Sequence, residues 1–372
     1  LIRLAAYTGD ADYADAARSA LRLLTSAMRE YPLAFGEALG AVDMLVAGLA
    51  VSMMAGLLGG WTRLGRPLPG LEFFRLHHGA LLGGVLFPTL ISLERSVAIA
   101  RPWAWAAPLT GLASLAWMVL GGTAAAPCML VLALALGLQQ AWIARRLHFD
   151  QGGLMALLAV LPLALADVRW GLGHPAALCA PIWASFLVLV IASERLEFSF
   201  HRGHTPGLWA LLVVLLTGLF TAHWQLVGLA WLGLALWLAR RELAGINAWR
   251  GGMAGYTARV VLLGCLWLAL NGAQLALIGL PFTSGPHFDR VLHGVFVGFV
   301  LTMVVAHGPM IFPAILKTPI RFSGWFYLPL ALLQGSLVLR CLGLTAVGAG
   351  GNVLAMLVFG MTMACHYTPG HN

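Results

Sequence analysis

Residues 75–98, RLHHGALLGGVLFPTLISLERSVA, decide the fold. The stretch is long and apolar enough to cross a bilayer, which takes roughly 17–25 apolar residues as a helix. Yet it carries His77 and His78 at one end and Glu94 with Arg95 at the other. Charged groups are costly in hydrocarbon, so a crossing of this kind holds its polar residues at the two rims. Similar apolar runs, broken by short charged or Pro/Gly segments, fill the chain from about residue 39 onward. Such runs exclude a transmembrane β-barrel, whose strands alternate apolar and polar residues. The reading is an all-α, polytopic transmembrane helical bundle over residues 39–372.

Composition agrees. Of 372 residues, 60% are hydrophobic and 10% charged, more apolar than a water-soluble domain of this size needs. The net charge of +8 therefore serves first as a topology signal, and the lipid bilayer is the expected partner. No basic tract with interleaved aromatics appears, so nucleic acid is not expected. Cys128, Cys179, Cys265, Cys341 and Cys365 form no CxxC pair and read as packing thiols. Walker, HExxH, GxSxG and Gly-rich dinucleotide motifs are missing, which argues against ATP hydrolysis and soluble-type hydrolase chemistry. No enzymatic activity is assigned.

Residues 1–38 read as a separate soluble helical hairpin turned at TGD, with Ala17, Leu21, Leu24 and Met28 at helical spacing. The segment is amphipathic where a signal peptide would be apolar, so the first span is expected to act as the targeting signal. YTGDADYADAA followed by YPLAFGEAL resembles the C-terminal end of the α/α-barrel in the YyaL-like, thioredoxin-domain-containing family. That likeness implies a fusion remnant or frame error, without activity.

Twelve spans are expected, centred near residues 50, 86, 115, 136, 160, 185, 214, 232, 270, 302, 333 and 359. Two of them share only residues 206–240. Arg95, Arg101, Arg145, Arg146, Arg195, Arg202, Arg240, Arg241, Arg250, Arg259, Lys317 and Arg321 fall after even-numbered spans, against Arg63, Arg66, Arg75, Arg169, Arg290 and Arg340 after odd ones. Even connections and both termini then face the cytoplasm of a bacterial inner membrane. LFPTLISLERSVAIARP ends span two and FLVLVIASERLEFSFHR ends span six, aligning Glu94 and Arg95 with Glu194 and Arg195. HGPMIFPAILKTPIR ends span ten in a weaker copy. The unit is four helices repeated three times.

In that frame six of the twelve histidines collect at the outer side: His77, His78, His174, His223, His287 and His293. His77, His78 and His293 read either as interfacial hydrogen-bonding groups or as ligands of a haem iron or another metal. The small residues after them, HHGALLGG and LHGVFVGF, would let a flat macrocycle approach. His174 and His223 read as loop or capping groups. His307 shares a helix face with His293 about 21 Å deeper, beside Pro309 and Pro313, whose freed carbonyls need partners inside the protein. Glu94, Arg95, Glu194 and Arg195 read as rim pairs locking neighbouring repeats, or else as a proton path or substrate gate. Gln139, Gln140, Asn271, Gln274 and Gln334 read as interhelical hydrogen bonds, Asp167 with Arg169 as a local rim pair, and most of the fourteen Trp as interface markers.

Taken together, the twelve spans and the residues His77, His78, Gly84, His293, Gly298, His307 and Gly308 resemble the NnrS-type proteins, distant relatives of haem-copper oxidase subunit I. The resemblance implies a bacterial inner-membrane protein that carries haem or a transition metal, copper or iron. Nitric oxide handling or metal/haem delivery would be its role. It implies His77, His78 and His293 as cofactor ligands, with His307 and His174 as further metal candidates. Haem-copper oxidases carry histidines inside spans six and seven, where this chain has none, and it shows no proton-channel carboxylates; a full proton-pumping oxidase is therefore not expected. The alternatives are a small-solute carrier or channel, with His307, the Pro-interrupted tenth span and the Glu-Arg pairs lining a path, and a structural membrane subunit.

Overall fold

The computed structural model describes residues 48–64, 72–120, 125–146, 150–197, 206–244, 249–280, 283–316 and 320–366. The expected N-terminal hairpin over residues 1–38 lies outside them. Among the described residues the chain is all-helical, without a β-strand.

Helix covers the centre of each of the twelve apolar runs. Seven of these helices are long and apolar enough to cross a membrane: α2 (Phe74–Ile99), α4 (Ala125–Arg146), α5 (Gln151–Gly171), α6 (Ala176–Leu196), α9 (Gly252–Ile278), α10 (Pro286–Ile311) and α12 (Thr345–Cys365). The remainder are α1 (Gly48–Thr62), α3 (Ala106–Val119), α7 (Pro206–Thr221), α8 (Trp224–Ala244) and α11 (Tyr327–Cys341). Residues 206–244 do hold two helices, because Ala222 turns the chain at φ 57° and His223 leads directly into α8.

Burial separates inner from outer helices. Over their most apolar stretches α6 and α10 are each 78% buried and α2 61%, whereas α4, α5, α9 and α12 lie between 33% and 50%. The three inner helices are thus the ones that close with or align to the Glu-Arg motif. α6 packs against both α2 and α10, and its Ile182, Trp183, Phe186, Val188 and Leu189 are almost wholly enclosed.

Two of the inner helices share a distortion. α2 becomes π-helical over Ala80–Leu86, right after His77 and His78, and α10 does so over Gly294–Leu301, right after His293. Phe87 N–H donates to the carbonyl of Leu82, five residues back, the spacing that defines a π turn. Both segments open His-Gly-x-x-x-Gly: His78, Gly79, Gly83 and His293, Gly294, Gly298.

The glycines within these turns have a different use from the one the sequence suggests. A Cβ at Gly83 would stand 3.0 Å from Cβ of Trp183, and one at Gly84 would stand 3.0 Å from its indole nitrogen. One at Gly298 would stand 2.6 Å from Cγ of Trp267. Tryptophan side chains of α6 and α9, not an approaching macrocycle, occupy the space. Each indole is tied on its far side: Trp183 Nε1 donates to Asp167 Oδ1 at 2.8 Å and Trp267 Nε1 to Gln334 Oε1 at 2.6 Å. Trp183 and Trp231 are core residues, not interface markers, because buried indoles with a hydrogen-bond partner are good packing units.

Polar bonds join the remaining helices. Gln139 on α4 donates to the hydroxyl of Ser96 at 2.9 Å and the carbonyl of Ala104 at 2.8 Å, and Gln334 donates to Thr302 at 2.7 Å. The irregularity expected at Pro309 and Pro313 is absorbed locally: helix continues over Thr302–Leu316. Pro309 leaves the carbonyl of Val305 without its intrahelical donor, and the Tyr256 hydroxyl of α9 donates to it at 3.4 Å.

Filling the glycine contact tests this packing. Gly298→Leu is expected to cost about 1–3 kcal/mol through overpacking against Trp267, read as a lower thermal unfolding midpoint in detergent, while Gly335→Leu, which meets nothing within 4 Å, is expected to leave the midpoint nearly unchanged.

Candidate functional site

The ends of α2, α6 and α10 that carry His78, Ala176 and His293 line one cavity of about 450 Å³, together with residues of α1, α11 and α12. That volume lies within the roughly 300–1,000 Å³ of small-molecule and cofactor sites. Its wall is mainly apolar, and its charged and imidazole groups are His78, His293, Asp289, Arg340 and Arg63, with Asn352, Ser284 and Thr345 as neutral polar residues.

His293 is held from its own helix. Its Nδ1 lies 2.9 Å from the carbonyl oxygen of Asp289 and 3.2 Å from Asp289 Oδ1, one turn back. Both partners accept, so Nδ1 carries a proton. The Asp289 carboxylate in turn takes a two-pronged contact from Arg340 on α11, Nε to Oδ2 and Nη2 to Oδ1, each at 2.7 Å. Arg340 is only 8% exposed, so this pair forms a largely enclosed ion bridge of favourable geometry. His78 makes the parallel but weaker contact, Nδ1 to the carbonyl of Arg75 at 3.3 Å. Both imidazoles thus engage Nδ1 with a carbonyl on their own helix, as metal-binding histidines usually do with one ring N–H.

The other candidate histidines are elsewhere. His77, next in sequence to His78, meets the Trp170 ring edge-on at 5.9 Å and does not line the cavity. His174 is exposed. His223 is exposed too, with Nδ1 3.0 Å from the Thr221 carbonyl. His287 uses both nitrogens, accepting from Gln274 at 2.8 Å and donating to the Gly279 carbonyl at 3.0 Å. His307 has Nδ1 2.7 Å from the Met303 carbonyl, farther along α10 and away from the cavity lining. Among the described residues no three His, Cys, Asp or Glu side chains gather as a metal-ion site.

At the opposite end of the inner helices, Arg95 of α2 bonds Glu194 of α6 at 3.4 Å, and Arg195 of α6 bonds Glu242 of α8 at 3.6 Å. Arg95 thus reaches across to the glutamate of the next inner helix. None of these residues lines the cavity.

Asp167 departs from its reading as a rim partner of Arg169. It is 1% exposed and accepts from the Trp183 indole, so the spanning region does hold a buried carboxylate. Sequence reasoning also passed over Asp289 and Arg340. The spacing Asp289-x-x-x-His293 on a helix was visible as an i,i+4 contact; Arg340 was read only as a topology charge, and nothing in the sequence joins it to Asp289 across 51 residues.

The family model described as "Domain of unknown function (DUF8744)" matches residues 43–368. The chain belongs to the DUF8744 family. The match takes in the whole cavity, from α1 to α12, and leaves residues 1–42 outside. No curated protein and no solved structure matches the chain.

The ion bridge gives a stability prediction. Asp289→Ala strands the Arg340 charge and Arg340→Ala strands the Asp289 charge, so each single change is expected to lower the unfolding midpoint in detergent. The double variant is expected to lose less than the sum, by a coupling of about 0.5–3 kcal/mol; additive losses would show that the two side chains do not interact.

Proposed function

We propose that this chain is an NnrS-like protein of a bacterial inner membrane that binds haem in the cavity, with His78 and His293 as iron ligands, and serves nitric oxide handling or haem and metal delivery. The observation that carries the reading is the shared placement of His78 and His293 in one cavity, each with Nδ1 turned to a helix carbonyl. Two donors without a third suit a metal that brings its own equatorial ligands, as a tetrapyrrole does, better than a bare copper or iron ion. Arg63 and Arg340 at the same cavity offer cationic partners to a cofactor with carboxylate substituents. Small residues at the wall, Gly60 and Gly79, leave room beside His78. Haem bound there would supply an iron able to take up nitric oxide or to pass an electron. The chain's own part is to hold two imidazoles, offer positive charge and wall the group off from lipid.

The same proposal takes the five shorter or more polar helices as crossings, which makes twelve spans in three four-helix repeats, with both termini cytoplasmic. The inner positions of α2, α6 and α10 support it, because equivalent second helices are then the ones that meet at the centre. Labelling tests the topology: in a cysteine-free background, Ser284→Cys is expected to react with a membrane-impermeant maleimide in intact cells with a permeable outer membrane. Trp249→Cys, exposed in the connection between α8 and α9, is expected to react only after lysis. Labelling of both in intact cells would overturn the orientation.

A second reading, a small-solute carrier, draws on the same two arginines, which would favour an anion, and on the interruption of α2 and α10, since broken helices line the sites of many transporters. One experiment separates the two. Protein purified from cells grown with ample haem is expected to show a Soret band that shifts on dithionite reduction, and His293→Ala is expected to lose or alter it. A featureless spectrum with no metal by elemental analysis would remove the haem reading and leave transport of small anions as the assay to run.

A further inference from the structure

We infer that His293 is the fixed donor of the cavity and His78 the adjustable one, with Asp289 and Arg340 as the positioning residues that create the difference. The consequence for a bound group rests on the two-histidine reading above; the difference between the two side chains is a property of the protein alone.

His293 has two acceptors for one N–H, the carbonyl and the carboxylate of Asp289 at 2.9 and 3.2 Å. The carboxylate cannot rotate away freely, because the planar guanidinium of Arg340 grips both of its oxygens at 2.7 Å. Arg340 is itself fixed by α12: a Cβ at Gly348 would stand 2.7 Å from Arg340 Cβ and 2.9 Å from its backbone nitrogen, so α11 and α12 touch where the arginine begins. Turning the His293 ring therefore disturbs a chain of contacts through α10, α11 and α12. Its Nδ1 proton is held and its ring orientation is set.

His78 has none of this support. Among the described residues its hydrogen bond is the one at 3.3 Å to the carbonyl of Arg75, beyond the usual 2.7–3.2 Å of a good N–H···O bond, and no described carboxylate backs it. Around it there is space: a side chain at Gly79 would meet nothing within 4 Å, and one at Gly60 would reach only ordinary contact, 3.7 Å from Cδ2 of the His78 ring. A small ligand entering the cavity thus takes the side that His78 can vacate, beside Gly60 and Gly79, while His293 keeps its place.

The test reads the free protein first. Full-length protein carrying ring-15N histidine is studied by NMR in detergent without added metal, with His78→Gln and His293→Gln to assign the signals. His293 is expected as a single Nδ1–H tautomer and His78 as a mixture of both tautomers. In Asp289→Ala the second tautomer is expected to appear at His293 with His78 unchanged, and the milder Arg340→Lys is expected to give a smaller change in the same direction. A mixture at His293 in the unaltered protein, a single tautomer at His78, or indifference of His293 to both substitutions would each overturn the inference. In haem-loaded protein, His293→Ala is expected to weaken haem binding at least tenfold, whereas His78→Ala retains haem and takes exogenous imidazole in its place. The reverse order would also overturn it. If no haem binds, the cofactor proposal falls and the NMR result alone decides whether His293 is the fixed side chain.

Discussion

The packing of two indoles onto glycine faces holds the centre of this molecule together. Trp183 lies against Gly83 and Gly84, where a Cβ would stand 3.0 Å from it, and Trp267 against Gly298, where a Cβ would stand at 2.6 Å. In a membrane, helices gain little from hiding apolar surface from one another, so close fit and interhelical hydrogen bonds must supply the attraction. Both are combined here. Each tryptophan fills the hollow left by glycine and gives its N–H to an acceptor on a third helix, the buried Asp167 for one and the partly buried Gln334 for the other. Three helices are fixed by one side chain in each case.

The π-helical turns belong to the same solution. An extra residue per turn widens the helix, and glycine lets the widened turn approach its neighbour. The wider turns begin directly after His78 and His293, so the segment that packs against tryptophan also sets where each histidine enters the cavity. Thr302 closes the second turn by donating its hydroxyl to the carbonyl of Val297 at 3.2 Å, while accepting from Gln334. The backbone groups that a π segment loosens are thereby satisfied within the protein, as a low-dielectric surrounding requires.

Charge is distributed by the same economy of contacts. At one end of the inner helices Arg95 and Arg195, each 8% exposed, reach glutamates on other helices; at the other, Arg340 holds Asp289 beside the cavity. Ionised side chains at such places persist because partners of opposite charge and good geometry stand ready. The difference lies in what adjoins them. The Arg95 and Arg195 bridges join helix to helix, whereas the Arg340 bridge touches a histidine and so connects the stability of α11 and α12 with the state of the cavity.

Sequence alone determined the helical, membrane-type architecture and the position of every helix described, because hydrophobic length and polar punctuation are local quantities and the backbone must satisfy itself within each helix. It also singled out α2 and α6 through the recurring Glu-Arg motif, with α10 as a weaker copy, and His77, His78 and His293 through their place at the start of spans two and ten. Tertiary structure decided the rest. That His77 turns to Trp170 while His78 enters the cavity depends on the rotation of α2, which a π turn alters and helical periodicity cannot foresee. That the glycines receive tryptophans, that Asp167 is buried, and that Arg340 meets Asp289 depend on which helices become neighbours. Those contacts join residues far apart in the chain, and their energies arise only when the helices are assembled.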